Sequence, residues 1–300
     1  MKLGDLSLAQ LRQRLTDNDL VLRTGPFVTR MHSSLPLIAD GLQRLYADFS
    51  LDEGEFNDFH VRVGAPTEIR RWLRPQINFW YDDHSPFKPL PANHAFALLE
   101  WGLNWCVAGH AHHYLMLHAA VLEKNGRAVV LPGDPGAGKS TLTAALMLSG
   151  WRLLSDEITL IDRDDGMLVG LARPVSLKNA SIDVIQRAFP DAVIGAPAHD
   201  THKGTVAHVR PSADSVARVN EKARPAWVIF PRWKNGSEAR LSPHSRADAM
   251  LHTASHAFNY SLLGGLGFEL NAALMDACTC YDFEYSNLDD ALKSFAELAA

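Results

Sequence analysis

Gly133-Asp134-Pro135-Gly136-Ala137-Gly138-Lys139-Ser140-Thr141 fills every fixed position of the phosphate-loop pattern GxxxxGK[ST], at Gly133, Gly138, Lys139 and Ser140. The flanks suit it. Ala128-Val129-Val130-Leu131 reads as a short buried strand, and Thr141 to Leu148 reads as a helix that stops at Gly150. A strand that feeds a glycine loop at a helix N-terminus turns several backbone N–H groups, and the positive end of the helix, toward one spot. Such a spot suits a polyphosphate. The residues 133 to 141 are therefore expected to line an ATP site, with Lys139 on the β- and γ-phosphates and the Ser140 hydroxyl on Mg²⁺.

Composition bounds the rest. With 300 residues the chain is long enough for one large or two modest domains. At 47% hydrophobic and 21% charged it is ordinary globular protein, and a formal net charge of -5 without a basic tract argues against nucleic acid as a partner. Cys106, Cys278 and Cys280 are too few, and odd in number, for a disulfide framework. The N-terminus has no apolar signal-peptide core. Trp101 to Leu122 is the most apolar stretch, but Glu100, Asn104, His110, His112, His113, His118 and Glu123 border or interrupt it, so it does not read as a membrane span. A soluble cytoplasmic protein with no membrane partner is expected; self-association is left open.

Along the chain, helices are expected at 6–15, 36–49, 94–114, 181–189, 245–263, 266–278 and 288–299. Strands are expected at 27–32, 59–63, within 68–81, within 152–161, within 168–177, at 226–231 and at 281–285, and 190–210 reads as loop. Pro86, Pro89 and Pro91 mark a linker. The pattern predicts a small α+β N-terminal domain over 1–90 and an α/β nucleotide domain over 91–300.

Around the loop, Trp151-Arg152-Leu153-Leu154 reads as the strand next to the loop strand, and it leads into Asp156-Glu157. Acids at that strand end would face the γ-phosphate, where one carboxylate can hold Mg²⁺ and another can deprotonate a hydroxyl. Read singly, Asp156 is also consistent with the plain metal-binding acid of an ATPase, Glu157 with a solvated acid, and His118 with a core histidine. Arg173, Lys178, Lys203 and Arg210 are candidate phosphate contacts, against ordinary surface charge. His110 with His113, and His252 with His256, lack a third ligand at metal spacing, and Cys278-x-Cys280 lacks redox spacing.

His118-Ala119, the loop GDPGAGKS, Gly150 and then Asp156-Glu157 together resemble bacterial HPr serine kinase/phosphorylase, over about residues 115 to 160. The stretches Arg173 to Asn179, Lys203 to His208 and Arg210-Pro211 look like the HPr-kinase-related branch found beside peptide-biosynthesis genes. The resemblance implies a P-loop domain of the HPr kinase/PEP carboxykinase type. It implies a serine kinase in which Asp156 is the general base, Glu157 and His118 assist, and Ser140, Asp156 and Glu157 hold Mg²⁺. The second acid of the pair is Glu157 where the family has Asp. The family's downstream metal-binding Glu has no equivalent between Val169 and Pro174, and its substrate-clasping C-terminal loop has no clear counterpart. The expected activity is ATP-dependent transfer to a Ser or Thr of a protein or ribosomal peptide precursor. A P-loop kinase for a small metabolite and a nucleotide-sensing module without transfer are the alternatives.

Overall fold

A computed structural model describes residues 1–66, 75–134 and 136–300. It is a mixed α/β structure with several sheets. Residues 1–94 carry α1 (Leu8–Thr16), α2 (Pro36–Leu45) and a five-stranded sheet. Its strands β1 (Leu20–Thr24), β2 (Phe27–His32), β3 (Phe59–Gly64), β4 (Gln76–Tyr81) and β5 (Leu90–Pro91) lie in chain order. The expected strand pairing within 68–81 falls partly outside the described residues, as does Trp72. α3 (Ala95–His110) follows, and its Leu98, Leu99, Leu103, Cys106 and Val107 share one core with Leu11, Leu22, Tyr46, Phe59 and Phe79.

α3 ends at His110 rather than Tyr114. The Tyr114-Leu-Met-Leu run is instead β6 (Tyr114–Leu117), because a short apolar run fits a buried strand as well as a buried helix. β7 (Ala119–Lys124) and β8 (Arg127–Pro132) then form a hairpin across Asn125-Gly126, both at positive φ, as a two-residue turn of this hand requires. After β8 come the loop, α4 (Lys139–Leu148), β9 (Arg152–Ser155), β10 (Thr159–Asp162), β11 (Leu168–Val169), β12 (Val175–Lys178) and α5 (Ala180–Ala188). The region expected as loop over 190–210 holds a second hairpin, β13 (Ala198–Thr201) and β14 (Gly204–Val209). Gly195, Pro197 and Gly204 dominate its composition, and Gly204 sits at φ +83 in the hairpin turn. The chain closes with α6 (Ala213–Ala217), β15 (Arg224–Trp233), β16 (Arg240–Pro243), α7 (Arg246–Ser255), α8 (Tyr260–Leu263), α9 (Gly265–Ala277), β17 (Thr279–Tyr285) and α10 (Leu288–Ala299).

The main sheet runs β16-β17-β15-β8-β7-β9, with β15 parallel to both β8 and β17. Alternate residues face opposite ways, as the strand period of two demands. Leu122, Val129, Leu131, Ile229 and Phe283 pack on α4 and α10. Val121, Ala128, Val130, Val228 and Cys280 pack on α7 and α9. Fully burying each of the Val, Leu, Ile and Phe side chains among these stabilises the fold by about 1.5–3 kcal/mol. The strand at 152–155 is therefore not next to the loop strand: β7 lies between β8 and β9. The three cysteines are buried and unpaired. Among the described residues, no helix is long and apolar enough to cross a membrane.

Candidate active site

The loop between β8 and α4 is held from several sides. Ala137 N–H donates to Asp134 O at 3.1 Å, Trp233 N–H to Ala137 O at 3.0 Å, and Tyr285 Oη to Gly138 O at 3.2 Å. Gly138 has φ +88 and is the N-cap of α4. A Cβ there would lie 2.7 Å from Tyr285 Oη and 3.0 Å from the Trp233 Cβ, whereas one on Gly136 (φ +91) would meet nothing within 4 Å. Gly138→Ala adds a clash to the roughly 1–2 kcal/mol that an L-residue loses in the left-handed region. It is therefore expected to lower the urea midpoint more than Gly136→Ala does. Equal midpoints for the two variants would contradict this packing of the loop.

Leu142 N–H closes the first turn of α4 on Gly138 O at 3.0 Å. The N–H groups of Lys139, Ser140 and Thr141 thus have no intrahelical acceptor. Thr141 Oγ1 donates to Ser181 Oγ at 2.8 Å, which ties α4 to α5. Lys139 is only 8% exposed, and its Nζ has no hydrogen-bond partner among the described residues. Burial lowers its pKa, and the charges of Asp156 and Glu157 oppose that shift. A buried ammonium without a partner is costly unless an anion meets it.

β9 reaches the loop from across β7. Arg152 anchors it: Nε donates to Glu123 Oε2 at 2.6 Å, and Nη1 donates to Arg218 O and Glu221 O at 3.0 and 2.9 Å. Past its end, Ser155 Oγ accepts from Ile158 N–H at 3.2 Å, and the turn presents Asp156 and Glu157. Asp156 is 6% exposed; its Oδ2 accepts from Ser176 N–H at 3.1 Å, while Oδ1 has no partner. Burial, and then the Glu157 charge, push its carboxyl up to about 6, against the pull of Lys139 and of its neighbours Ser176 and Ser140. For Glu157, burial also acts upward, but Lys203, Lys178, Lys139 and His118 outweigh it and hold the carboxyl below its ordinary value. The two adjacent acids are thus shifted in opposite directions, Asp156 upward and Glu157 downward.

His118 sits at the rim, between β6 and β7. Its N–H donates to His256 O at 3.0 Å, and its ring stacks on Phe258 at 5.7 Å. His118 is exposed at the surface, yet desolvation, followed by the Lys139 charge, lowers its pKa, and Glu157 opposes them. Lys203 lies on the other rim, its Nζ 5.3 Å from the centre of the Trp101 ring.

Arg173 faces inward. Its Nη2 donates to Asn104 Oδ1, and its Nη1 lies 3.7 Å from Glu100 Oε2. Asn104 Nδ2 in turn donates to Glu157 Oε2 at 2.5 Å, and Tyr46 Oη donates to Glu100 Oε1 at 2.5 Å. A buried chain, Tyr46–Glu100–Arg173–Asn104–Glu157, thus runs from the end of α2 through α3 to the second acid. Glu100 is raised by burial, a shift that Arg173 and Tyr46 counter. Arg210, expected among the phosphate contacts, is instead paired with Asp48. Gly133, Asp134, Gly136, Ala137 and Gly138 line the loop as expected, and Pro135 lies outside the described residues. His110 is packed against Tyr81 at 4.7 Å and Trp105 at 5.6 Å, and it belongs to no three-ligand cluster among the described residues.

Sequence reasoning missed Tyr46, Glu100, Asn104 and Ser176. Glu100 had a signal: a carboxylate at the head of the most apolar segment is buried at a cost that only partners can offset. Tyr46 had none, since it caps the C-terminus of α2, 54 residues before Glu100 in the chain.

No family model matches the chain, and no curated protein matches it. Among solved structures, the Hpr(Ser) kinase/phosphatase from Coxiella burnetii is similar over 61% of this chain and 96% of its own, at 14% identity and a TM-score of 0.26. A likeness of that degree shows neither fold nor function.

Proposed function

We propose that the chain is an ATP- and Mg²⁺-dependent kinase of the HPr-kinase type that phosphorylates a Ser or Thr hydroxyl of a protein or ribosomal peptide precursor. One observation carries this: the unpartnered Nζ of buried Lys139 and the unpartnered Oδ1 of buried Asp156 face one loop–helix junction. Each lacks a partner that an anionic phosphate and a hydroxyl would supply. The proposed division assigns residues 1–90 to an N-terminal domain and 91–300 to the kinase domain.

Within this reading, the loop N–H groups and Lys139 grip the phosphates of ATP. Ser140, Glu157 and Asp156 are the oxygen ligands that would hold Mg²⁺, a hard cation suited to such donors. Mg²⁺ bound there would offset phosphate charge. Asp156 orients the acceptor hydroxyl and takes its proton on Oδ1 as the acceptor oxygen forms its bond to phosphorus and the bond to ADP breaks. Asn104 and Arg173 aim Glu157, while His118 and Lys203 border the opening. Arg173 holds Asn104 through Nη2, and its Nε and Nη1, which have no hydrogen-bond partner among the described residues, are the donors it would offer a phosphate.

A polypeptide acceptor is favoured over a small metabolite because His118 is exposed and stacks on Phe258, itself 42% exposed, which puts an accessible apolar surface beside the site. The test is incubation of the full chain with labelled ATP and candidate precursor peptides, with the labelled residue mapped by mass spectrometry. Glu157→Gln should lose activity that excess Mg²⁺ partly restores; Asp156→Asn should not respond to the metal; His118→Ala should fall between them. Nucleotide binding with no product on any acceptor would favour a sensing module instead.

A further inference from the structure

His252 and His256 lie four residues apart in α7 and at its C-cap, so both project from one face of the helix. The sequence places no third ligand beside them. The fold does: Asp134, from the loop after β8, comes to the same place. One ligand atom from each of Asp134, His252 and His256 lies within 4.8 Å of the others. The approach is enforced by backbone pairing, since His118 N–H donates to His256 O and Phe258 N–H to Met116 O, which clamps the end of α7 against β6.

Proton placement sharpens the picture. His256 Nδ1 is 2.9 Å from His252 O. A carbonyl only accepts, so Nδ1 carries the proton, and in the neutral ring Nε2 bears the lone pair. That Nε2 faces Asp134 Oδ1 at 3.4 Å. A lone pair opposite a carboxylate needs a proton or a cation between them. An imidazole whose other nitrogen donates to a backbone carbonyl is the usual arrangement of a metal-bound histidine. The His252 ring stacks on His256 at 4.3 Å, and its Nε2 is buried without a hydrogen-bond partner.

We infer that Asp134, His252 and His256 form a transition-metal site of the Zn²⁺ class that fastens the loop after β8 to α7. Two imidazoles and one carboxylate are borderline-soft donors that suit Zn²⁺ and disfavour Mg²⁺. Three protein ligands leave a fourth position for water or another donor. Bond lengths of about 2.0–2.2 Å require the donors to draw closer, which rotation of the exposed Asp134 and His256 side chains permits. His244, 4.5 Å from the Phe230 ring that also meets His252 at 4.9 Å, is a further imidazole on the same side of α7. The site does not depend on the kinase reading, because it is tested without nucleotide.

The experiment titrates the metal-stripped full chain with ZnCl₂, CoCl₂ and MgCl₂, reading calorimetry for stoichiometry and visible absorption for Co²⁺ geometry. One equivalent of Zn²⁺, Co²⁺ bands of a four-coordinate site and no competition by Mg²⁺ are expected. His252→Ala with His256→Ala should remove that equivalent at unchanged circular dichroism, and Asp134→Asn should weaken it at least about tenfold. His110→Ala with His113→Ala should leave it intact. Should the double variant fold poorly, His256→Gln, at an exposed position, gives the same reading. A wild-type protein that binds no Zn²⁺, or a His252/His256 variant that keeps its equivalent, overturns the site and leaves an ordinary His256–Asp134 ion pair.

Discussion

Asp156→Asn is expected to lower kcat by about 10²- to 10⁴-fold while raising the melting temperature. The two effects share a cause. Burial holds the Asp156 carboxyl at about 6 against an ordinary value of 3.8. The folded state therefore disfavours the charged form. Stability contributed by this group is full below pH 3.8, where it is protonated in both states, and is lost as pH rises through 6. At pH 7 the charged carboxylate costs on the order of 2–3 kcal/mol, and a neutral amide of the same shape removes most of that. Melts of both proteins from pH 4 to 8 should lie close together at the acid end, diverge as pH rises toward 6 and stay apart by a constant amount above it. The wild-type kcat/KM should fall as pH drops through about 6, because protonated Asp156 cannot take a proton. His118 and His208, both lowered to about 4 chiefly by burial, titrate below that limb. If Asp156→Asn turns over normally while Glu157→Gln is dead, the two acids have exchanged roles. If both variants are active, the serine-kinase mechanism fails.

Lys139→Ala should cost about 10²–10³ in kcat/KM, the loss typical of one preorganised donor to developing charge. Nucleotide affinity should drop by about 10- to 100-fold, as a charge-assisted hydrogen bond of roughly 1.5–3 kcal/mol is removed. The fold should survive, since Nζ makes no hydrogen bond among the described residues. Removing the cation also lifts a charge that lowers the Asp156 pKa, so the acid limb of any residual activity should move upward. Wild-type affinity in this variant would refute the nucleotide site at the loop.

The loop, its strand and its helix were legible because the motif requires residue types at fixed spacing, and Gly138 obeys a conformational rule that sequence states directly. Asp156 was legible as a candidate, but its place in the sheet was not. The Asn125-Gly126 dipeptide carries a two-residue turn signal that went unread, and the β7–β8 hairpin it closes puts β7 where the 152–155 strand was expected. The 198–209 hairpin was hidden by its glycines and proline. Arg173 could be singled out as a basic residue after the acids, yet only the fold shows that Glu100 and Asn104 hold its guanidinium. The His252/His256 pair was discounted because its third donor stands more than a hundred residues away in sequence and joins it only through the clamp on β6.

The bond between Tyr46 and Glu100 also bears on inheritance. The hydroxyl that steadies this buried carboxylate comes from the front of the chain, and the carboxylate steadies the arginine behind the second acid. A recombination event that exchanged the first 90 residues would strand Glu100 unless the newcomer brought a donor to the same point. Tyr46 and Glu100 should therefore change together between descendants of this gene, for example to Phe with Gln, and seldom one at a time.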